Sequence, residues 1–287
     1  MEFRHMYIFV VLFAVGSHAL TEELDFGRND AVSNQTAIAY NIGVHMGIIN
    51  PEKYSLESFE RDERNIFKDL YQEYKSLNGS EPINYQEWLI MNNYGVLSDT
   101  QESLYQRKIV KRSTADNKRR FVNTVRKGDI LISAGPGIGG FVGHAAIMTS
   151  DKWVLEMPGG DGYVTGIPDN NRQIPKDQWF EEHKTDWTTV YRNRDSSVAV
   201  QAARWADRHY YDVNGSARKT IHVTYKIFPT AFRSFNPSYC SKLVLQAFYY
   251  GTGSKAVIRD PKSTAIIPST IPTYFLAPYT LMNMGKF

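Results

Sequence analysis

Apolar positions recur at helical spacing from Tyr54 to Leu77, where Phe59, Ile66, Leu70 and Tyr74 alternate with charged residues until Asn78-Gly79 offers a stop. Asn84 to Asn93, with Tyr85, Trp88, Leu89 and Met91, predicts a second helix, and Ser98 to Gln106 the start of a third. Beyond residue 127 the period shortens. Asp129 to Ser133, Gly143 to Met148, Lys152 to Glu156 and Thr188 to Arg192 read as short strands, and Thr220 to Ile227 as a further strand-like run. Val198 to Tyr210 is helical, and a last helix begins just before Cys240 and stops at Gly251, with Leu243, Val244, Ala247 and Phe248 inward. Asn236 or Ser238 can cap it, and Pro237 suits its first position. The tail from Ile258 carries Pro261, Pro268, Pro272 and Pro278 and either wraps the surface or ends as a short strand. The fold class is α+β: an antiparallel sheet packed on the Cys240 helix, preceded by mostly helical chain.

Residues 1–19 have the layout of a signal peptide: Arg4 and His5, the apolar run Tyr7 to Gly16, then Ser17-His18-Ala19 as a small-x-small cleavage site. The run is about half the ~20 residues a membrane span needs. The protein is therefore expected outside the cell, with sequons at Asn34, Asn78 and Asn214. A net charge of +3 gives no case for nucleic acid. Nine Lys or Arg against only Asp116 crowd residues 107–127. This segment reads as a solvated linker between a helical region, 20–112, and a second domain, 113–287; contact with an anionic surface, or cleavage after Lys111-Arg112, stays open.

Composition becomes informative at cysteine. Cys240 stands alone, so no intrachain disulfide accounts for a thiol in an exported chain. In the first turn of a half-buried helix, free N–H groups and the helix dipole favour the thiolate. A partner base is at hand in His144, which opens one strand, while Glu156 closes the next. If Thr149 to Asp151 form a three-residue turn, His144 lies opposite Glu156 on one face; a two-residue turn puts Glu156 opposite Ala145, on the other. A carboxylate beside an imidazole orients it and raises its basicity. The glycine loop 135–140 lacks the G-K-[ST] ending of a phosphate cradle and leads into a strand. No H-E-x-x-H and no G-x-S-x-G occurs, which disfavours zinc and serine hydrolases.

RKGDILIS (126–133), GHAAIM (143–148), KWVLE (152–156), YYDVNG (210–215) and YCSKLV (239–244) together resemble the circularly permuted papain-like branch of the NlpC/P60 superfamily, the YiiX/YycO type. There the His strand precedes the Cys helix. The resemblance covers residues 113–287 and implies Cys240 as nucleophile, His144 as general base and acid, Glu156 as the group orienting it, and Tyr211 and Tyr239 beside the substrate or oxyanion. It implies no cofactor and no metal. The expected activity is a secreted cysteine peptidase or amidase, its substrates cell-wall peptides among others. The alternatives are a lipid acyl hydrolase or acyltransferase of the same fold, and a binding protein with a degenerate site. The partner is a peptide or acyl substrate, and the oligomeric state is open.

Overall fold

Strand alternation builds the centre of the molecule. In the computed structural model, which describes residues 28–77, 83–105, 113–135, 142–163, 165–227, 231–261 and 265–287, six strands form one antiparallel sheet in the order β4-β3-β2-β1-β5-β6. They are β1 (Ile130–Ser133), β2 (His144–Met148), β3 (Trp153–Glu156), β4 (Arg172–Pro175), β5 (Thr188–Asn193) and β6 (Leu281–Lys286). Ile130, Ile132, Ala145, Ile147, Leu155 and Tyr191 enter one apolar cluster, while Leu131, Ala146, Met148, Val154, Ile174 and Val190 enter a second. Successive side chains point to opposite faces, so both faces are covered. Helices α7 (Ser196–Tyr210) and α8 (Cys240–Tyr250) lie on the first face, and α5 (Thr114–Thr124) and α6 (Lys176–Glu182) on the second. The putting together of helices on both faces explains why β1 and β2 are buried along their whole lengths.

The N-terminal helices α1 (Arg28–His45), α2 (Leu56–Asp62), α3 (Lys68–Leu77) and α4 (Tyr85–Met91) pack around Tyr54, Phe59, Phe67, Trp88 and Tyr94. A π turn, Glu63–Phe67, joins α2 to α3 and buries two carboxylates. Asp62 Oδ2 accepts from Tyr54 Oη at 2.9 Å and Ser103 Oγ at 3.1 Å, and Glu63 Oε2 accepts from Thr36 Oγ1 at 2.6 Å. The apolar cluster of this region runs on without a break into the first face of the sheet. Lys286 Nζ donates to the carbonyls of Ser103 and Leu104 at 2.9 and 3.2 Å, and Tyr191 Oη to Asp99 at 2.7 Å, fastening the helices to the sheet's β5–β6 edge.

Several expectations are corrected. Residues 98–105 are turns with an isolated Val96–Ser103 bridge, not a helix; Leu97 and Leu104 are both fully buried, a pattern that a loop pinned at both ends satisfies as well as a helix. The basic segment is no linker over its described part: 114–124 is the helix α5, capped by Ser113 and seated by Phe121 against Trp179, Phe180 and Phe287. Residues 220–227 make only single bridges, Tyr225 to Ile167 and to Ser238, and β4 and α6 lie between Glu156 and Thr188, where no element was predicted. Pro237 lies outside α8, which begins at Cys240 with Tyr239 as its N-cap. The tail does end as a strand, β6. The leader at 1–19, the Asn78 sequon, Lys111-Arg112 and residues 136–140 of the glycine loop lie outside the described residues.

Gly128 marks the close approach of β1 to α7. Its φ is +85°, and an added Cβ would stand 2.4 Å from the carbonyl oxygen of Ala199. Gly128→Ala should cost about 2–4 kcal/mol, overpacking added to left-handed strain. Gly253→Ala, at φ +67° with open space around it, should cost only about 1 kcal/mol. Urea midpoints of the two variants check the difference.

Candidate active site

The site forms where the first residue of α8 meets the first residue of β2. Cys240 and His144 are each 7% exposed, and Glu156, at the end of β3, is fully buried. Tyr239 caps α8 without a side-chain hydrogen bond, so the first-turn N–H groups remain for other uses. The Cys240 sulfur lies beside His144 and the backbone N–H groups of Ala145 and Ser241, the neighbours that act on its charge.

His144 and Glu156 share a face of the sheet, in a register different from the expected one. Glu156 pairs with Ala146, and the last pair before the connection is Met148 with Val154. The turn is longer than three residues because Ser150 Oγ accepts from both Lys152 and Trp153 N–H at 3.1 Å, curling the chain before it re-enters the sheet. The shift is two positions, so parity survives, and the imidazole reaches its carboxylate diagonally: His144 Nε2 to Glu156 Oε2 is 2.7 Å.

Glu156 is the hub of the site. Its Oε1 accepts from Arg172 Nε at 2.8 Å, and its Oε2 from Trp179 Nε1 at 3.1 Å. Arg172 is its partner across the β3–β4 ladder and also holds Glu182 at 2.6 Å. His183 stands with Nε2 3.7 Å from Glu156 Oε2 and Nδ1 3.2 Å from Asp186 Oδ2. Its ring is nearly parallel to that of His144, 7° apart with centroids at 5.6 Å, and stacks on Trp179 at 4.2 Å.

These neighbours set the protonation states. Burial works to raise the pKa of the Cys240 thiol, and the His144 hydrogen bond and charge, with the Ala145 and Ser241 N–H groups, outweigh it and bring it below its ordinary value. Burial works to lower His144, and its bonds to Cys240 and Glu156 push it up instead, to about 10. Burial opposes ionisation of Glu156, yet His144, His183 and Arg172 hold it well below the usual carboxylate range. His183 is raised as well: burial and the His144 charge act against the rise, Asp186 and Glu156 for it. Both shifts favour the thiolate–imidazolium form of the pair over the neutral one.

His144, Glu156 and His183 also offer ligand atoms within 4.8 Å of one another, a spacing open to a metal ion. A cation there would have to displace protons from two imidazoles beside the Arg172 guanidinium, so the donor set fits proton control better.

Of the residues singled out in the sequence, Cys240, His144 and Glu156 come together. Tyr239 is adjacent, with its hydroxyl accepting from Ile266 N–H at 3.0 Å. Tyr211 caps α7 and lines a cavity of about 170 Å³ with Thr149, Trp153, Gln173 and Asp207, at the end of β2 remote from His144. Arg172, Trp179 and His183 went unread. The signal was there in PKDQWFEEH (175–183), a proline start followed by an apolar pair among charges, which puts Trp179 and His183 one turn apart.

A protein of Bacillus thuringiensis described as an uncharacterized 30.3 kDa protein is 32% identical over 251 residues, covering 82% of this chain and 87% of its own. No solved structure matches. Residues 89–286, which include every residue of the site, match the LnsA-like lipoprotein N-acylation protein family. The chain belongs to that family, whose members are papain-like, NlpC/P60-related enzymes of the acyltransferase or hydrolase type.

Proposed function

We propose that this protein is an exported cysteine acyltransferase, in which Cys240 accepts an acyl group from a lipid donor and passes it to an amine, the amino terminus of a lipoprotein. The observation that carries the reading is the buried Cys240 and His144 at the start of α8, with Glu156 bonded to the imidazole at 2.7 Å. Such a pair serves amide hydrolysis equally well, and the family match moves the weight from the peptidase expected first to the acyl-transfer alternative. His144 and Glu156 precede Cys240 in the chain, which supports reading residues 113–287 as a permuted papain-like domain. Export rests on the leader-like residues 1–19. Among the described residues no helix is long and apolar enough to cross a membrane.

The chemistry follows from the geometry. The Cys240 thiolate attacks the ester carbonyl of the donor, and the N–H groups left free in the first turn of α8 receive the developing oxyanion. His144 gives its proton to the leaving alcohol and becomes neutral. The amine then attacks the thioester, His144 takes its proton, and the thiolate departs into the restored ion pair. Glu156 stays ionised throughout and holds the imidazole in place, as the third member of a triad does.

Incubation with an aryl ester of a medium-chain fatty acid should add one acyl mass to the protein, removable by hydroxylamine; Cys240→Ala should remain unmodified in mass spectrometry.

Alkylation of Cys240 by iodoacetamide should persist at pH 6, below the ordinary thiol pKa of about 8.5. In His144→Ala the thiol loses its cation, and the rate at pH 6 should fall at least tenfold; a flat, wild-type profile in that variant would contradict the ion pair.

Glu156→Gln puts a neutral amide against the buried His144 imidazole and the half-exposed Arg172, which keeps Glu182, and loss of a buried charge partner should cost about 1–3 kcal/mol. Because the folded pKa of Glu156 is depressed, its contribution is complete above the unfolded value near 4.3 and fades as pH falls through the folded one. Denaturation of wild type and Glu156→Gln should therefore differ most at neutral pH and converge in acid.

A further inference from the structure

The acyl-transfer chemistry uses His144 and Glu156 and leaves unused a second imidazole, His183, which caps the C-terminal end of α6 beside them. Its backbone N–H closes the helix on the carbonyls of Trp179 and Phe180 at 3.1 and 3.2 Å, so α6 fixes where the ring stands. The side chain is 14% exposed. Nδ1 lies 3.2 Å from Asp186 Oδ2, and Nε2 lies 3.7 Å from Glu156 Oε2. The ring runs parallel to that of His144 within 7°, with the centroids 5.6 Å apart.

A neutral imidazole has one N–H and one lone pair, whereas the cation donates from both nitrogens. With a carboxylate at each nitrogen, only the cation suits both neighbours. Burial and the charge of His144 oppose protonation, Asp186 and Glu156 outweigh them, and the pKa of His183 is raised. The charged groups that face the ring are thus His144 of β2, Glu156 of β3 and Asp186 on the way to β5. Arg172 of β4 acts on the other oxygen of Glu156 and is shared with Glu182, and Lys118 of α5 is taken by Glu181. A like charge as near as His183 disfavours protonation of His144. While Cys240 is a thiolate, its charge offsets that repulsion. Acylation makes the sulfur neutral, and His144 is left with Glu156, whose charge is divided among His144, His183 and Arg172.

We infer that His183, held as a cation between Asp186 and Glu156, is a positioning residue that keeps His144 neutral in the acyl-enzyme and so ready as the base for the incoming acceptor. The inference rests on the acyl-transfer reading and deepens it. His144 donates Nε2–H to Glu156, which leaves Nδ1 as the basic atom. When the acceptor attacks the thioester its proton passes to Nδ1, the new bond to carbon forms as the C–S bond breaks, and sulfur leaves as thiolate. The returning negative charge again offsets the His183 cation, and the ion pair is favoured once more. His183 itself neither gives nor takes a proton in this cycle.

The test exposes the full chain briefly to p-nitrophenyl octanoate and follows decay of the octanoyl-enzyme in water by mass spectrometry, between about pH 5 and 9. In wild type the decay rate should rise with pH to a plateau as His144 loses its proton. His183→Gln puts an amide donor in the place of the ring and removes the charge, so His144 holds its proton longer and the midpoint should move up by about one pH unit. Asp186→Asn keeps the imidazole and loosens its proton; the midpoint should move the same way by less, and this variant decides the matter if His183→Gln does not fold. In both variants alkylation of Cys240 by iodoacetamide at pH 6 should stay within about twofold of wild type, because His144 remains the cation beside the thiolate. Unmoved midpoints in folded variants overturn the inference and leave the acyl-enzyme standing. So does a parallel loss of alkylation and decay at every pH, which would make His183 a brace for Glu156 alone. No octanoyl-enzyme in wild type overturns the acyl-transfer reading itself, and the inference falls with it.

Discussion

The ionised carboxylate of Glu156 has no contact with solvent, and the architecture around it consists largely of what such a charge requires. An isolated carboxylate in an apolar interior would neutralise. Here Arg172, Trp179, His144 and His183 gather on its two oxygens, and three of the four come from one continuous segment, 172–183. Strand β4 delivers Arg172 directly across the ladder, and α6, starting at once after it, brings Trp179 and His183 round on successive turns. Helix α5 closes the arrangement from outside, with Phe121 stacked on Trp179 at 5.8 Å. Its basic residues are partly committed as well: Lys118 to Glu181 at 2.7 Å, Arg119 to Asp116 at 2.6 Å, and Arg120 over the Phe287 ring at 5.3 Å.

The same charge explains why the Cys240–His144 pair is drawn toward its ionised form inside the protein. Cys240, Glu156, Asp186 and Glu182 supply negative charge, and His144, His183 and Arg172 supply positive charge, each linked to the next by a hydrogen bond or a close ion pair. In a medium of low polarity such alternation is what keeps buried ions charged. His183 enters this chain as a second cation parallel to His144. Repulsion between the two rings is tolerated because each has its own share of anionic oxygen, Glu156 for both and Asp186 for His183 alone.

Much of this was legible in the sequence, for particular reasons. A lone cysteine before an amphipathic helix announces itself, and the alternation in GHAAIM and KWVLE fixes that His144 and Glu156 share a face whenever the register shift is even. The register itself was not legible, since it depends on Ser150 folding the connection back through two backbone donors. His183 was hidden by distance. It lies 27 positions beyond Glu156, and its role depends on β4 and α6, elements of four and seven residues, too short for periodicity to resolve. The aromatic packing of the N-terminal helices was readable as core, whereas its continuity with the sheet, and the polar contacts such as Lys286 to Ser103 that fasten the edge, are encoded by no local pattern.

On the acyl-transfer reading, burial of the site also bears on the choice between an amine and water. Once the leaving group has taken the proton of His144, the imidazole is neutral and remains held by Glu156, ready for whichever acceptor arrives. With Cys240 and His144 each 7% exposed, random approach of solvent is restricted. Water is present at about 55 M in bulk and an amino terminus at far less, so discrimination cannot rest on concentration. It must come from positioning, and a bound, oriented amine gains an effective molarity that reaches about 10⁵ M or more in well-aligned systems. A buried thiol and imidazole that admit little solvent leave that positioning to whatever binding surface lies beside them.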